Sequence, residues 1–152
     1  PMQNRYNYPK YYVTKFGYQD GIPTLSSPVF CRWGEVLLNR AEAYAHLNQG
    51  DNALKDVNTI RRRAGIPEEG LFASDKMHGY SDVLSVVMDE RRLELAFEGH
   101  RMFDVYRNGF TMDRRFPGAQ PWALVEPTYL KIQYPIPNAE WTVSGIPQNP
   151  GY

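Results

Sequence analysis

A mainly α-helical chain is what this sequence predicts: two tetratricopeptide-like helical hairpins covered by long Pro/Gly-rich loops, with a short strand near the N-terminus. Three observations carry that expectation. Apolar residues recur at three- and four-residue intervals from Trp33 to Ile60 and again from Val83 to Phe97, the spacing of one face of a helix. Gly and Pro, 12 of each in 152 residues, gather between and after those stretches, where they end helices and make turns. Beyond Phe110, Pro117, Pro121, Pro127, Pro135, Pro137, Pro147 and Pro150 leave no room for another long helix. A chain of this length is sufficient for one hydrophobic core.

Each element has its own local reason. Tyr11-Tyr12-Val13-Thr14-Lys15-Phe16 reads as a strand, and Asp20-Gly21 and Ile22-Pro23 read as turns after it. In the first helix Trp33, Val36, Leu37, Ala41, Tyr44 and Leu47 form the apolar stripe, and Ala41, Ala43 and Ala45 favour helix and allow close packing. Asn48-Gln49-Gly50 stops it. Asp51 is expected to cap a second helix through Ala53, Leu54, Val57 and Ile60, which Ala64-Gly65-Ile66-Pro67 closes into an antiparallel hairpin. After a loop from 67 to 80, Ser81 or Asp82 caps a longer helix that places Val83, Val86, Val87, Leu93, Ala96 and Phe97 on one face. Gly99 divides it from a shorter helix, His100 to Arg107, ended by Asn108-Gly109. In the tail, Tyr134-Pro135-Ile136-Pro137 should run extended with Tyr134 and Ile136 turned towards the helices.

Composition narrows the function classes. Lys+Arg and Asp+Glu each number 17, so the chain lacks the basic excess of a protein that neutralises nucleic-acid phosphates. The one cysteine, Cys31, can form no internal disulfide and is read as a small buried hydrophobe. No apolar run approaches the roughly 18–20 residues that span a bilayer, and the first residues carry no signal-peptide pattern.

The candidate chemical groups mostly have structural readings. Glu90, Glu94 and Glu98 stack four apart on one helical face, with Arg91, Arg92 and Arg101 available to neutralise them. Catalytic carboxylates must face each other across a cleft, so a salt network is expected here instead of an acid/base pair. Arg32, Glu90, Glu94, Glu98 and Arg101 are its expected members, with Arg32 and Arg101 as the partners of a buried Glu90. His100 and Asp104 could share a metal but lack a third ligand, so no metal or other cofactor is expected. Cys31 has no His or Asp near it in sequence to make it a nucleophile, and no Gly-rich phosphate loop is present. The aromatics Tyr80, Phe116, Trp122, Tyr129 and Trp141 lie in or beside irregular segments. There flat rings either stack on apolar sugar faces or pin the tail to the helices.

Three stretches together resemble the SusD/RagB family. Arg32-Trp-Gly-Glu-Val-Leu-Leu-Asn-Arg-Ala-Glu-Ala-Tyr44 with Ala53-Leu-x-x-Val-Asn-x-Ile-Arg-x-Arg-Ala-Gly-Ile-Pro67 looks like the first helical pair of that family's C-terminal region. Glu90-Arg-Arg-x-Glu-Leu-Ala-Phe-Glu-Gly-His-Arg-Met-Phe-Asp104 is similar to its most distinctive segment, and Tyr134-Pro-Ile-Pro137 and Gln148-Asn-Pro-Gly-Tyr152 to its finish. The resemblance implies that 1–152 is the C-terminal helical region of a longer, surface-exposed lipoprotein of the outer membrane, attached only through an upstream lipid anchor. Such a protein is not an enzyme. It binds an oligosaccharide or other nutrient and hands it to a SusC-like TonB-dependent transporter. On that reading the helices are scaffold and ligand contacts come from loop residues, Arg114, Phe116 and Trp122. Their segment, Thr111 to Pro127, is too rich in Pro and Gly for regular structure yet carries two large rings and two arginines. Two other classes compete: a tetratricopeptide-type protein-interaction scaffold with a peptide in its groove, and, more weakly, a glycoside hydrolase.

Overall fold

The computed structural model describes residues 3–5, 8–10, 13–27, 29–115 and 123–152, the first two segments as backbone only. Two three-residue strands, β1 (Gln3–Arg5) and β2 (Tyr8–Lys10), pair antiparallel. The helices are α1 (Trp33–His46), α2 (Gly50–Arg63), α3 (Val83–Glu94), α4 (Arg101–Arg107) and α5 (Asn138–Ser144). A second two-stranded ribbon, β3 (Met112–Asp113) with β4 (Leu124–Val125), lies between α4 and α5 in the chain.

The chain is thus mainly helical, and its core is where α1, α2 and α3 meet. Leu37, Leu38 and Ala41 of α1, Ala53, Leu54, Val57 and Ile60 of α2, and Val86 and Val87 of α3 form one buried cluster. Ala41 and Ala53 have no surface in contact with solvent, consistent with small residues letting the first two helices cross closely. Phe72 completes the cluster from the connecting loop. Its backbone is held by the buried Asn58, whose Nδ2 donates to the Phe72 carbonyl at 2.8 Å while the Phe72 N–H donates to Oδ1 at 2.9 Å.

Several expectations are corrected. The inward face of α1 runs through Gly34, Leu37, Leu38 and Ala41, leaving Trp33, Val36 and Leu47 exposed. The helix carries apolar residues on two sides, and periodicity alone does not say which meets the core. Leu93 and Phe97 are likewise exposed, because α3 stops at Glu94 and the chain turns at Leu95–Gly99. Cys31 is exposed. Asp51 sits in the first turn of α2, with Gln49 at the cap position. Asp82 does cap α3, accepting from the Ser85 N–H at 2.7 Å.

Residues 13–16 form no strand. Lys15 instead reaches the end of α3, where its Nζ donates to the Glu94 and Ala96 carbonyls at 3.0 Å each, satisfying groups that a helix C-terminus leaves free. The tail also differs from expectation: Tyr134 is 78% exposed and does not turn inward. The segment is tied to itself. Gln148 pairs with both backbone groups of Ile136, at 2.7 and 2.9 Å, and Asn149 donates to the Tyr134 carbonyl. These side chains supply partners that the neighbouring prolines cannot.

Candidate functional site

Glu90 and Glu94 lie on α3 and Glu98 in the turn beyond it; Glu90 has a partner of its own, while Glu94 and Glu98 share one. Glu90 is buried and receives Arg61 Nη1 at 2.8 Å, not Arg32 or Arg101. Burial pushes its carboxyl up by more than Arg61 pulls it down. Arg32 spans Glu94 and Glu98, donating to Glu98 from Nε at 2.9 Å and from Nη2 at 2.8 Å, and Arg63 reaches Glu94 at 2.6 Å. Every one of these carboxylates is tied to a guanidinium, which is the geometry of a brace between segments.

The Arg32 hydrogen bonds, with Lys15 adding to them, hold the Glu98 carboxyl down at about 2 from its ordinary 4.5, against the opposing effect of burial. Glu94 is also lowered, its hydrogen bonds from Arg32 and Arg63 outweighing burial. A carboxyl with a depressed folded pKa stabilises fully above its unfolded value and loses that contribution as pH falls through the folded one. Stability should therefore decline between about pH 4.5 and pH 2. Circular dichroism across an acid titration checks this: Glu98→Gln should flatten the decline, and an unfolding curve insensitive to pH in that window would overturn it.

A deeper cluster was not anticipated from the sequence. Arg91, 3% exposed, forks onto Asp104 through two 2.9 Å hydrogen bonds and donates to Asn39 at 2.6 Å. Arg107 joins Asp104 and Glu42 at 2.7 and 2.6 Å, and Asn108 donates to Glu42 at 2.9 Å. Burial opposes ionisation of Asp104, but the hydrogen bonds from Arg91 and Arg107 outweigh it and lower its pKa. Asp104 is thereby committed to arginines. Among the described residues no group of three or more His, Cys, Asp or Glu converges as metal ligands.

Two clefts open along α4. One cleft, of about 680 Å³, is bounded by Tyr106, Arg114, Glu126, Tyr129, Lys131 and Tyr134. A second, of about 520 Å³, is bounded by Arg92, Phe97, Arg101, Met112 and Arg114. The two share Met102, Tyr106 and Arg114, so they adjoin as one groove. Arg114 is exposed. Phe116 and Trp122 lie outside the described residues.

Phe97 is the unusual member. Its φ of 66° is in the left-handed region, which a bulky side chain adopts only at a cost, and its ring is 72% exposed. Gly99, at φ 84°, completes the same turn. No sequence pattern predicts that conformation, since the apolar spacing continues through Phe97 as though the helix did. The groove offers rings, arginines and a lysine around open space, a set suited to holding a polar ligand.

Comparison with known proteins agrees with this architecture. A SusD-like protein, P2, of Formosa agariphila is 27% identical over 98% of this chain and 31% of its own length. A SusD superfamily protein of Bacteroides vulgatus, solved by crystallography, superposes with a TM-score of 0.67 at 32% identity, covering 86% of this chain and 29% of that one. A candidate sugar-binding protein from the same organism gives a TM-score of 0.63 at 34% identity over 80% of this chain and 28% of that one. The chain thus spans about a third or less of the relatives it matches. With the SusD family model matching residues 2–152, the chain belongs to the SusD family.

Proposed function

We propose that this chain is the C-terminal helical region of a longer surface protein that binds a glycan or related nutrient without acting on it, and that the groove along α4 contributes to the binding surface. The single observation that carries the reading is Phe97: an exposed side chain lining the groove in a backbone conformation that costs energy, in the cleft that Tyr106 also lines. Membership of the SusD family and likeness to a candidate sugar-binding protein support it. In the whole protein the ligand would pass to a SusC-like TonB-dependent transporter at the outer membrane, with attachment through an upstream lipid. No helix among the described residues is long and apolar enough to cross a membrane.

The mechanism is capture and release. Rings select flat sugar faces and the cationic side chains orient hydroxyl or charged substituents, so no step needs a titrating carboxylate. Calorimetry with a glycan panel on the wild type and Phe97→Gly tests this. Glycine accepts the left-handed φ, so the variant should be equally or more stable, while affinity falls about tenfold, roughly 1.4 kcal/mol. Unchanged affinity would remove the groove from the binding surface, and hydrolysis of any glycan would overturn the non-enzymatic reading. One observation favours a second reading, the tetratricopeptide-type scaffold: Trp33, Val36, Ala43 and Leu47 leave an exposed stripe on α1. Self-association abolished by Trp33→Ser, together with no glycan binding, would favour it.

A further inference from the structure

Charges around the groove do not balance, and the imbalance falls on particular side chains. Arg91 is matched by Asp104, and Arg92 by Asp89 at 2.6 Å. Arg101 has no such match: among the described residues no carboxylate lies within ion-pair distance, and its one hydrogen bond is a long one, 3.4 Å, to the Met88 carbonyl. Among the described residues Arg114 makes no side-chain ion pair, and Lys131 makes none either, lying over the face of Tyr152 at 5.6 Å. Against these three cations the groove presents one carboxylate, Glu126, which already accepts from the Thr111 hydroxyl at 2.7 Å. Elsewhere in the molecule arginines are paired with care: Arg32, Arg40, Arg61, Arg62, Arg63, Arg107 and Arg115 all touch carboxylates.

We propose that the groove along α4 takes an anionic sugar, with Arg101 and Arg114 in one half and Lys131 in the other receiving its carboxylate or sulfate groups while Phe97, Tyr106 and Tyr134 meet the ring faces. This rests on the reading of the groove as a glycan surface and narrows it to a substrate class. The physical reason is complementarity. A guanidinium offers a fork of donors that fits a carboxylate or sulfate in two hydrogen bonds, and a bound anion would give Arg101 the ion-pair partner it lacks among the described residues. Partial burial and the nearness of Arg92 lower the Arg101 pKa, against the opposing pull of Asp104 and Asp89. Spreading three cations along two joined clefts matches a ligand that carries charge on more than one residue, as an oligosaccharide of uronic acids or sulfated sugars does.

The test uses calorimetry with an oligogalacturonate, the same oligosaccharide fully methyl-esterified, and a sulfated galactan oligosaccharide, at about 20 mM and about 500 mM salt, where screening differs strongly. An anionic form should bind about tenfold or more tightly than the neutral ester at low salt, and the preference should shrink at high salt. Arg101→Gln and Lys131→Gln should each reduce anion affinity several-fold and reduce ester affinity much less, so that the preference for the anion shrinks. Neither side chain has a carboxylate within ion-pair distance among the described residues, so thermal stability should hold. Galacturonate binding with no sulfate binding assigns a carboxylate, and the reverse assigns a sulfate. Equal binding of acid and ester, lost in Phe97→Gly, would overturn the charge proposal while leaving the glycan surface standing. Binding of none of the three, nor of any neutral glycan in the panel, would overturn both.

Discussion

Replacing Arg91 with methionine should destabilise the fold by about 3–5 kcal/mol, the range seen when one member of a buried ion pair is removed. The guanidinium links three helices. It sits on α3, forks onto Asp104 of α4, and reaches Asn39 of α1, with Glu42 of α1 at 3.6 Å. Asp104 and Glu42 are each 3% exposed. Without Arg91 those two carboxylates share the half-exposed Arg107 and Asn108, so one negative charge is left in a site with little water to solvate it. Against a total stability of roughly 5–15 kcal/mol for a domain, that loss is large enough to unfold much of the population on mild warming. Urea denaturation of wild type and Arg91→Met checks it, and a loss below about 1 kcal/mol would show that the cluster is not desolvated as its geometry indicates. Removing the acid as well, in Arg91→Met with Asp104→Leu, should recover part of the loss, since the penalty lies in the orphaned charge.

That cluster also marks where sequence reading stops. Glutamates four apart can be placed on one face from spacing alone, and a run of Glu and Arg announces ion pairs. The partner of each is set by tertiary approach. Glu90 meets Arg61, which is 29 positions away, and Arg32 meets Glu98, which is 66 away. Some helix bounds were legible where local chemistry decides them: Asp82 caps α3 through its own side chain, and Asn48 and Gln49 lie in the turn between α1 and α2. Which side of α1 faces inward was not legible, since Trp33 and Val36 compete with Leu37 and Leu38 for that role and only the placement of α2 and α3 decides. Phe72 escaped notice because a loop residue belongs to no periodic pattern. Of the groove's lining, Arg114 and Tyr129 were legible in the sequence as loop residues. Phe97 joins that lining because the chain breaks helix at Leu95–Gly99, a backbone event with no signature in hydrophobic spacing.

The same ambiguity on α1 yields the second large effect. Leu38→Ala should cost about 2–5 kcal/mol, because Leu38 has no exposed surface and its core neighbours can collapse only partly into the space vacated. Val36→Ala, two residues earlier on the same helix, should change stability by no more than about 0.5 kcal/mol, because Val36 is 43% exposed and its methyl groups gain little from burial. Alanine suits a helix at both positions, so propensity does not blur the contrast. Paired denaturation curves at low and high protein concentration make it decisive. If Val36→Ala costs as much as Leu38→Ala at high concentration alone, the outer stripe of α1 is covered by a second copy in solution. If it does so at every concentration, the inward face of α1 is the one that Trp33 and Val36 define. A large loss confined to Leu38→Ala places the core where Leu37, Leu38, Val57 and Val87 meet.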